Sequence, residues 1–416
     1  MTLCSPHRTS ADRCPGVLAV HEAEDGGLAR IRLAGGRASA PQLAAVAAAA
    51  GQTGSGLVEI TGRANLQLRG LAPGAEAQLA EMLEAAGLLP SRAHDRARNL
   101  LASPLAGRHP DSVIETDAIV AGLDAAICAE PRLAGLPGRF LFAVDDGSGL
   151  GRLGGADLAL APRPEAPGAL RLWIGGAETD AAPGAAEAPA LASRAALGFL
   201  DLCAADGVVA WHVRELEDGA ERVAAALGLE LIAPADEDSS TPVAGIRPGF
   251  QPQRDGREAV TALAPLGRFD ATTLDRVAEL LGPLGAEARF SRWRTVTVPD
   301  LEPAAAKELG AALERADLIV EPATVWEGLS ACAGLGYCSK ARFDVRAAAQ
   351  RRASTRRGGA PAEHWSACGR RCGEPSSAPV AVAAEEGGAI AVRAGGRSRL
   401  VADEREALAL LAEEAQ

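Results

Sequence analysis

Eight cysteines are spread unevenly over the 416 residues of the chain. Cys4, Cys14, Cys128 and Cys203 stand singly, whereas Cys332, Cys338, Cys368 and Cys372 fall within 41 residues. The first pair, in ACAGLGYC, has five residues between its thiols; the second, in SACGRRC, has three. Four thiolates brought together make a soft site that suits zinc or an iron–sulfur cluster. Structural zinc sites usually pair cysteines about two to four residues apart. A five-residue gap holding Gly334 and Gly336 suits a wider loop around a [4Fe–4S] cube. Zinc and four unrelated thiols are the competing readings of the same residues.

The rest of the composition limits what such a site could serve. Net charge is -12, and aromatic residues make up 3% with a single Tyr. A nucleic-acid binder needs a basic footprint and stacking platforms, and this chain has neither. The longest aliphatic stretch, residues 42–51, is far short of the roughly 20 residues that span a bilayer. The first twenty residues hold no apolar core of signal-peptide length. The expectation is a cytoplasmic protein without membrane or nucleic-acid partners, whose cysteines serve something other than a disulfide framework.

The elements that must position the cysteines repeat. Residues 28–71 and 258–301 share an order of features: a short apolar strand, Gly-Arg, an amphipathic helix, an alternating strand and a second helix. Gly36-Arg37 matches Gly267-Arg268 and Leu43 matches Leu274 at an offset of 231. Thr61, Leu66, Leu68 and Leu71 match Ser291, Val296, Val298 and Leu301 at an offset of 230. Two strands with two helices make an α+β unit. Duplication predicts two such units about a pseudo-two-fold axis, with a site at their junction. Coincidence between two Ala-rich stretches is the bland alternative. Residues 10–90 and 250–318 are then the two copies, and residues 95–232 and 320–416 are two further α+β units. Within those, helices are expected at 74–88, 117–133 and 303–316 and from 403, a strand at 139–144 and a hairpin at 380–392. Residues 161–168 and 181–190 read as loops, and 234–256 as a linker.

Several polar residues stand out. In TGRANLQLRG, an alternating strand would put Arg63, Asn65, Gln67 and Arg69 on one face and Leu66 and Leu68 on the other. Fixed cations on such a face could hold carboxylates, or the face could simply be solvated.

Cys-x5-Cys followed by Cys-x3-Cys, downstream of a duplicated half, resembles the nitrite and sulfite reductase superfamily over nearly the whole chain. That resemblance implies a duplicated architecture of two ferredoxin-like half-domains and two α/β cluster and tetrapyrrole units. It implies a [4Fe–4S] cluster on Cys332, Cys338, Cys368 and Cys372 beside a tetrapyrrole, with Cys372 bridging to the iron in sirohaem reductases. Thr61-x-Arg63-x-x-x-Gln67 is similar to the family's anion-directed arginine segment, and Arg98-Asn99 to its second arginine. Leu136-Pro-Gly-Arg139-Phe-Leu141 matches the strand on which the reductases carry Lys-x-Lys, but Leu141 stands where a second lysine would supply a cation and a proton.

Arg13-Cys14-Pro15-Gly16, TGRANLQLRGL, RARNLLASPLAG and LPGRFLFAVDDG are more similar to the precorrin-3B synthase family within that superfamily. This second resemblance implies a monooxygenase that hydroxylates precorrin-3A with dioxygen and closes a γ-lactone in aerobic cobalamin biosynthesis. It implies Arg63, Arg98 and Arg139 as catalytic cations, with Asn65, Gln67, Arg69 and Asn99 beside them on the substrate's carboxylates. That family is also associated with a mononuclear non-haem iron, for which no His/carboxylate triad is legible. Sirohaem-dependent nitrite or sulfite reduction is the alternative activity, and a non-catalytic iron–sulfur or zinc protein is the third.

Other features have two readings each. Gly149-x-Gly151-x-x-Gly154 spells a dinucleotide fingerprint, but the proline-broken run after it reads as a turn rather than the required helix. Electrons would then come from a partner such as a ferredoxin or flavodoxin. Six arginines between Arg342 and Arg357 could dock that partner or form a solvated loop. His364 and Trp365 could shield the cluster, touch the macrocycle or fill a core, and Cys14 could line the cavity or be buried as a small hydrophobe.

Overall fold

The computed structural model describes residue 8 and residues 12–151, 155–233, 245–375 and 378–413. The first half-domain runs β1 (His21–Ala23), β2 (Gly26–Ile31), β3 (Arg37–Ser39), α1 (Ala40–Thr53), β4 (Leu57–Ile60), β5 (Leu66–Leu71) and α2 (Glu76–Ala85). The unit after it runs β6 (Leu100–Ala102), α3 (Asp117–Ala129), β7 (Phe142–Val144), β8 (Leu158–Pro162), β9 (Leu170–Ile174), β10 (Ala177–Thr179), α4 (Ala188–Asp206), α5 (Gly219–Ala226) and β11 (Leu231–Ala233). The second half-domain runs β12 (Gly249–Pro252), β13 (Glu258–Leu263), β14 (Arg268–Asp270), α6 (Ala271–Leu281), β15 (Glu287–Phe290), β16 (Thr295–Leu301) and α7 (Pro303–Arg315). The last unit runs β17 (Leu329–Ala331), α8 (Val345–Ala353), β18 (Glu363–Ser366), β19 (Val380–Ala384), β20 (Ile390–Ala394), β21 (Arg397–Val401) and α9 (Glu404–Glu413).

The repeat is real and reciprocal. One antiparallel sheet has the order β1-β2-β5-β4-β14, and the other β12-β13-β16-β15-β3. Each half-domain therefore lends its third strand to the edge of the other's sheet: Arg268–Asp270 pairs with Leu57–Glu59, and Arg37–Ser39 with Glu287–Arg289. Each lent strand runs straight into a helix with the same start signal. Ser39 caps α1 in a capping box with Gln42, and Asp270 caps α6 through the Thr273 N–H at 2.7 Å. Leu43, Val46, Leu274 and Val277 on these helices are buried in one core that spans both copies. The hairpin turns also match. Ala64 and Arg294 are both left-handed, at φ 57° and 64°, inside turns closed by Thr61 N–H to Asn65 O and Ser291 N–H to Thr295 O.

The flanking units are a second duplicated pair. In the first, β6, β7 and β8 are parallel and β9 and β10 antiparallel; in the second, β17, β18 and β19 are parallel and β20 and β21 antiparallel. One helix, α4, is long and apolar enough by composition to cross a membrane. Its Leu191, Ala195, Ala196 and Phe199 are buried in the core of its own unit.

Some sequence expectations shift. Arg63 lies in the turn before β5, because the left-handed Ala64 breaks the extended run, so only Asn65, Gln67 and Arg69 alternate. The expected strand at 139–144 shrinks to β7, since the Leu141 N–H goes to the Asp157 carboxylate at 2.9 Å instead of a ladder partner. The helix expected at 117–133 stops at Ala129, ahead of Pro131, and continues only as a 3-10 turn over Pro131–Gly135. Part of the expected linker is β12, and residues 234–244 lie outside the described residues. The loop expected at 181–190 ends where α4 begins, with Pro189 in the first turn.

One buried carboxylate fastens the exchanged strand. Glu59 on β4 faces Arg268 across the ladder, with N···O at 2.5 Å, and accepts from Gln67 Nε2 at 2.9 Å. Arg69 and Arg346 approach it to 3.6 and 3.7 Å. Burial alone would raise its pKa, but Arg268, Arg69 and Arg346 together hold it below the ordinary carboxylate range. Its stabilising contribution is therefore complete above the ordinary carboxylate pKa and is lost as pH falls through the depressed folded value.

Two predictions follow from this architecture. Residues 10–90 expressed alone lack β14 and the α6 face, so they will show no cooperative thermal transition by circular dichroism; co-expression with residues 250–318 will restore one. Glu59→Ala leaves buried guanidiniums without their anion and will lower stability by about 3–5 kcal/mol. Urea melts at neutral pH and in acid will show that gap narrowing as pH falls below the ordinary carboxylate range, where the unfolded chain takes up the proton that the folded one resists.

Candidate functional site

Because β17 and β18 are parallel, their carboxyl ends open at the same edge of the sheet, where an open α/β sheet forms a crevice. Cys332 follows β17 directly, and Cys368 and Cys372 follow β18. The Cys332 N–H donates to Trp365 O at 2.9 Å, and the Ala367 N–H donates to Cys332 Sγ at 3.2 Å, so the two loops are stitched together. Gly334 and Gly336, at φ 85° and 80°, turn the first loop toward Cys338.

Burial pushes the Cys332 thiol up, and Cys372 and Cys368 push it further. Burial likewise raises Cys372, with Cys368 and Cys338 adding to it and Arg370 and Arg139 opposing. The four sulfurs thus sense one another, and thiols raised in this way need a bound cation to become thiolates. Among the described residues no three His, Cys, Asp or Glu side chains are grouped tightly enough for one metal ion. Four thiols on two loops at one edge of the sheet are a soft donor set of the kind that a [4Fe–4S] cluster takes.

The first cysteine loop is clasped to the first half-domain. Arg69 donates to Tyr337 O at 3.0 Å, and the Tyr337 ring lies 4.4 Å from the Arg268 guanidinium carbon and 5.1 Å from that of Arg69. Below the second loop, His364 is fully buried. Its Nδ1 lies 2.8 Å from Ser330 Oγ and its Nε2 3.2 Å from Cys372 O. Burial and Arg294 push its pKa down to about 3, so it is a neutral strut rather than a proton carrier. Trp365 is core, with its Nε1–H on Glu363.

Arg139 links this edge to a second cluster. Its Nε donates to Asp12 at 3.0 Å and its guanidinium carbon lies 4.7 Å from the Trp211 ring, while half of the side chain stays exposed. Nearby, Cys14 Sγ accepts from Arg30 Nη1 at 3.1 Å and Arg32 Nη2 at 3.3 Å. Burial would raise that thiol, but Arg32 and Arg30 leave it below its ordinary value. The Arg63 guanidinium makes no hydrogen bond or ion pair among the described residues. Burial lowers its pKa, and the Arg32 and Arg139 charges add to the effect. A half-buried cation crowded by cations is a place for an anion. Arg30 and Arg32 were missed from sequence; their alternation in ARIRL, on one face of β2 and its extension, was the available signal.

The other sequence-predicted polar residues are already partnered. Arg98 is buried and forks onto Asp124 with both contacts at 2.7 Å. Arg69 forks onto Asp25 at 3.0 and 2.7 Å. Asn99 accepts from Arg32 and Asn65 and donates to Phe140 O, and Gln67 joins Arg30 to Glu59. Gln67 and Asn99 brace Arg30 and Arg32, and Asn65 in turn holds Asn99. Leu141 is buried in the core.

The basic run from Arg342 to Arg357 is divided: Arg342, Arg351 and Arg357 are exposed, and the other three are drawn inward. Arg352 pairs with Glu363, Arg356 donates to four backbone carbonyls, and Arg346 approaches Glu59. Arg342 stays exposed; with Lys340 and Arg370 it lines a cavity of about 590 Å³ beside Cys368, opposite Glu385 and Glu386. The glycine fingerprint is filled by its own chain: the N–H groups of Gly147, Gly149 and Gly151 all donate to Asp145, so none awaits a pyrophosphate. Gly154 of that fingerprint lies outside the described residues.

Comparison with known proteins agrees with this architecture. The nitrite/sulfite reductase ferredoxin-like half domain matches at residues 21–86 and again at 251–316. The chain is 26% identical over 352 residues to sulfite reductase (ferredoxin) 2 of Mycolicibacterium paratuberculosis, covering 77% of this chain and 61% of that protein. It is 27% identical over 388 residues to ferredoxin–nitrite reductase of Synechococcus elongatus, covering 85% and 75%. To precorrin-3B synthase of a Sinorhizobium species it is 25% identical over 374 residues, covering 87% and 78%. The chain thus spans only about three fifths of the sulfite reductase it matches. The solved NirA protein of Mycobacterium tuberculosis superposes with a TM-score of 0.73 at 21% identity, over 93% of this chain and 79% of that one. The chain is built from two nitrite/sulfite reductase ferredoxin-like half domains and has the fold of the nitrite/sulfite reductase family.

Proposed function

We propose that the protein is an oxidoreductase acting on a polycarboxylated tetrapyrrole, in the manner of precorrin-3B synthase, with precorrin-3A as substrate. The overall change would be R–H + O2 + 2 electrons + 2 protons giving R–OH + H2O, followed by lactone closure in which the O–H of an acetate arm's carboxyl adds across a double bond of the macrocycle and nothing further leaves. Cys332, Cys338, Cys368 and Cys372 would hold a [4Fe–4S] cluster, which supplies electrons one at a time. Arg63 and Arg139 would receive substrate carboxylates; Asn65, Gln67, Asn99, Arg98 and Arg69 would fix their surroundings. The carrying observation is the pairing of an unpartnered Arg63 with a buried, uncharged Leu141. The site offers guanidiniums suited to planar carboxylates, and the position at which the reductases would carry a second lysine contributes neither charge nor proton.

No step is assigned to a mononuclear non-haem iron, because among the described residues no His/carboxylate group fits one. The exposed Lys340, Arg342 and Arg370 beside Cys368 suit an acidic electron carrier such as a ferredoxin. A second reading, sirohaem-dependent nitrite or sulfite reduction, is favoured by the reductases that match at the same level of identity as the synthase.

Anaerobically purified protein, assayed with precorrin-3A, dioxygen and a reductant, will give a hydroxylated lactone. Its spectrum will show broad brown absorption, with iron and labile sulfide near one cube. Haem-type bands with anion-dependent dye oxidation would move the assignment to the reductases, and zinc without sulfide would exclude both. Arg63→Ala will weaken tetrapyrrole binding about 10- to 100-fold, the worth of one charge-assisted contact, while Arg98→Ala will lower stability first. Arg342→Glu will raise KM for a reduced ferredoxin without changing turnover with a small dye, and added salt will shrink the difference.

A further inference from the structure

A buried dyad stands in the wall of the arginine cluster, and no residue role above makes use of its open end. Asp157, at the start of β8, is 1% exposed. Its Oδ1 accepts from the Val213 N–H at 2.8 Å, and its Oδ2 accepts from the Leu141 N–H at 2.9 Å and lies 3.0 Å from His212 Nδ1. With two amide donors already on the carboxylate, the ring completes the set as a third donor, which places the proton on Nδ1 and leaves the Nε2 lone pair free. Nε2 has no partner among the described residues and is not among their sealed, unsatisfied atoms. The dyad is tied to the cation site from both sides. Asp157 acts on Arg63 as a nearby anion, and the ring of the residue before His212, Trp211, lies 3.6 and 4.7 Å from the guanidinium carbons of Arg8 and Arg139.

We infer that His212 is the proton-transferring residue of the arginine site, with Asp157 as the positioning residue that fixes its tautomer. The inference rests on the reading of this cluster as the place of reaction, and it deepens that reading. Hydroxylation by dioxygen consumes two protons with its two electrons, and reduction of nitrite or sulfite also consumes protons, so either activity needs a donor there. The imidazolium form gives one proton from Nε2, its positive charge having been balanced by Asp157, and solvent returns that proton. Buried Leu141 leaves this duty open. The charged groups around the ring are Asp157, Glu215 of its own loop paired with Arg8, Arg214 on Gly155 O, and Arg63 and Arg139 across the cluster. A hinge-like structural role would need the hydrogen bond to Asp157 but no free nitrogen.

The test uses the full-length holoprotein labelled with 15N-histidine, with His212→Gln to assign the resonance. The expected result is the Nδ1–H tautomer and an Nε2 signal that moves when uroporphyrin III, an octacarboxylate, is added. An Nε2–H tautomer, or a signal unmoved while absorbance shows the porphyrin bound, overturns the inference. Failure of the porphyrin to bind counts against the tetrapyrrole reading, and the tautomer alone then decides the dyad. In whichever turnover assay is positive, His212→Gln will lower kcat about 10²- to 10⁴-fold at unchanged KM. It will also change the pH profile of kcat, which a purely structural histidine would leave unaltered. A variant of unchanged melting temperature that keeps the wild-type kcat and pH profile sinks the assignment.

Discussion

The structure turns on one buried carboxylate. Glu59 sits where the lent strand β14 meets β4, and three guanidiniums from three different parts of the chain converge on it: Arg268 from the lent strand, Arg69 from β5 and Arg346 from α8. A carboxylate out of water is tolerable only with such company, and the guanidiniums are equally dependent on it. Removing any one partner leaves a buried charge unbalanced, so the exchanged sheets, the first half-domain and the cysteine unit are bound to one another by mutual electrostatic need. The same arginines clasp Tyr337, so the geometry of the Cys332–Cys338 loop is set by the half-domain interface, not by the loop alone.

Around this fixed point the arginines divide into two populations. Arg69 and Arg98 are forked onto carboxylates and act as internal bolts. Arg63 and the exposed half of Arg139 keep binding capacity, and Arg30 and Arg32 crowd them with further positive charge that Cys14, Asp12, Asp95 and Asp157 offset. A local surplus of cations, in which Gln67 and Asn99 brace Arg30 and Arg32, is preorganised for an anionic ligand. The acidic net charge of the chain makes the contrast sharper.

Much of this was legible in the sequence, and what was missed follows a pattern. Duplication was visible because helical and strand periods repeat at a near-constant offset, and those periods are local properties. The cysteine spacing was visible for the same reason. Strand exchange was not, since β3 and β14 have three residues each and their partners are set by tertiary packing. Arg98 looked as available as Arg63 because nothing in RARNLLA announces Asp124 on α3. The displacement of Arg63 from its expected strand depends on a left-handed alanine, a conformation that residue type argues against. His212 carried no motif at all; its partner Asp157 is 55 residues earlier.

The two copies differ at the positions that the duplication makes equivalent. At the turn where the first copy presents Arg63, the second presents Trp293, which packs on Leu105, Leu150 and Ile246. At the strand ends where the last unit presents cysteines, the first unit presents Asp145 and Asp146, which take up the amide N–H groups of their own loops. Each half has therefore closed one of the two places that the fold leaves open and kept the other. Arg139 and Cys372 come from different halves and yet act on each other. The surviving cation cluster and the surviving cysteines thus come from different halves, and the duplicated frame brings Arg139 within electrostatic reach of Cys372. Neither half alone holds both the cation cluster and the four cysteines; the asymmetric loss of one from each copy leaves the duplicated frame as the only arrangement that carries the two together among the described residues.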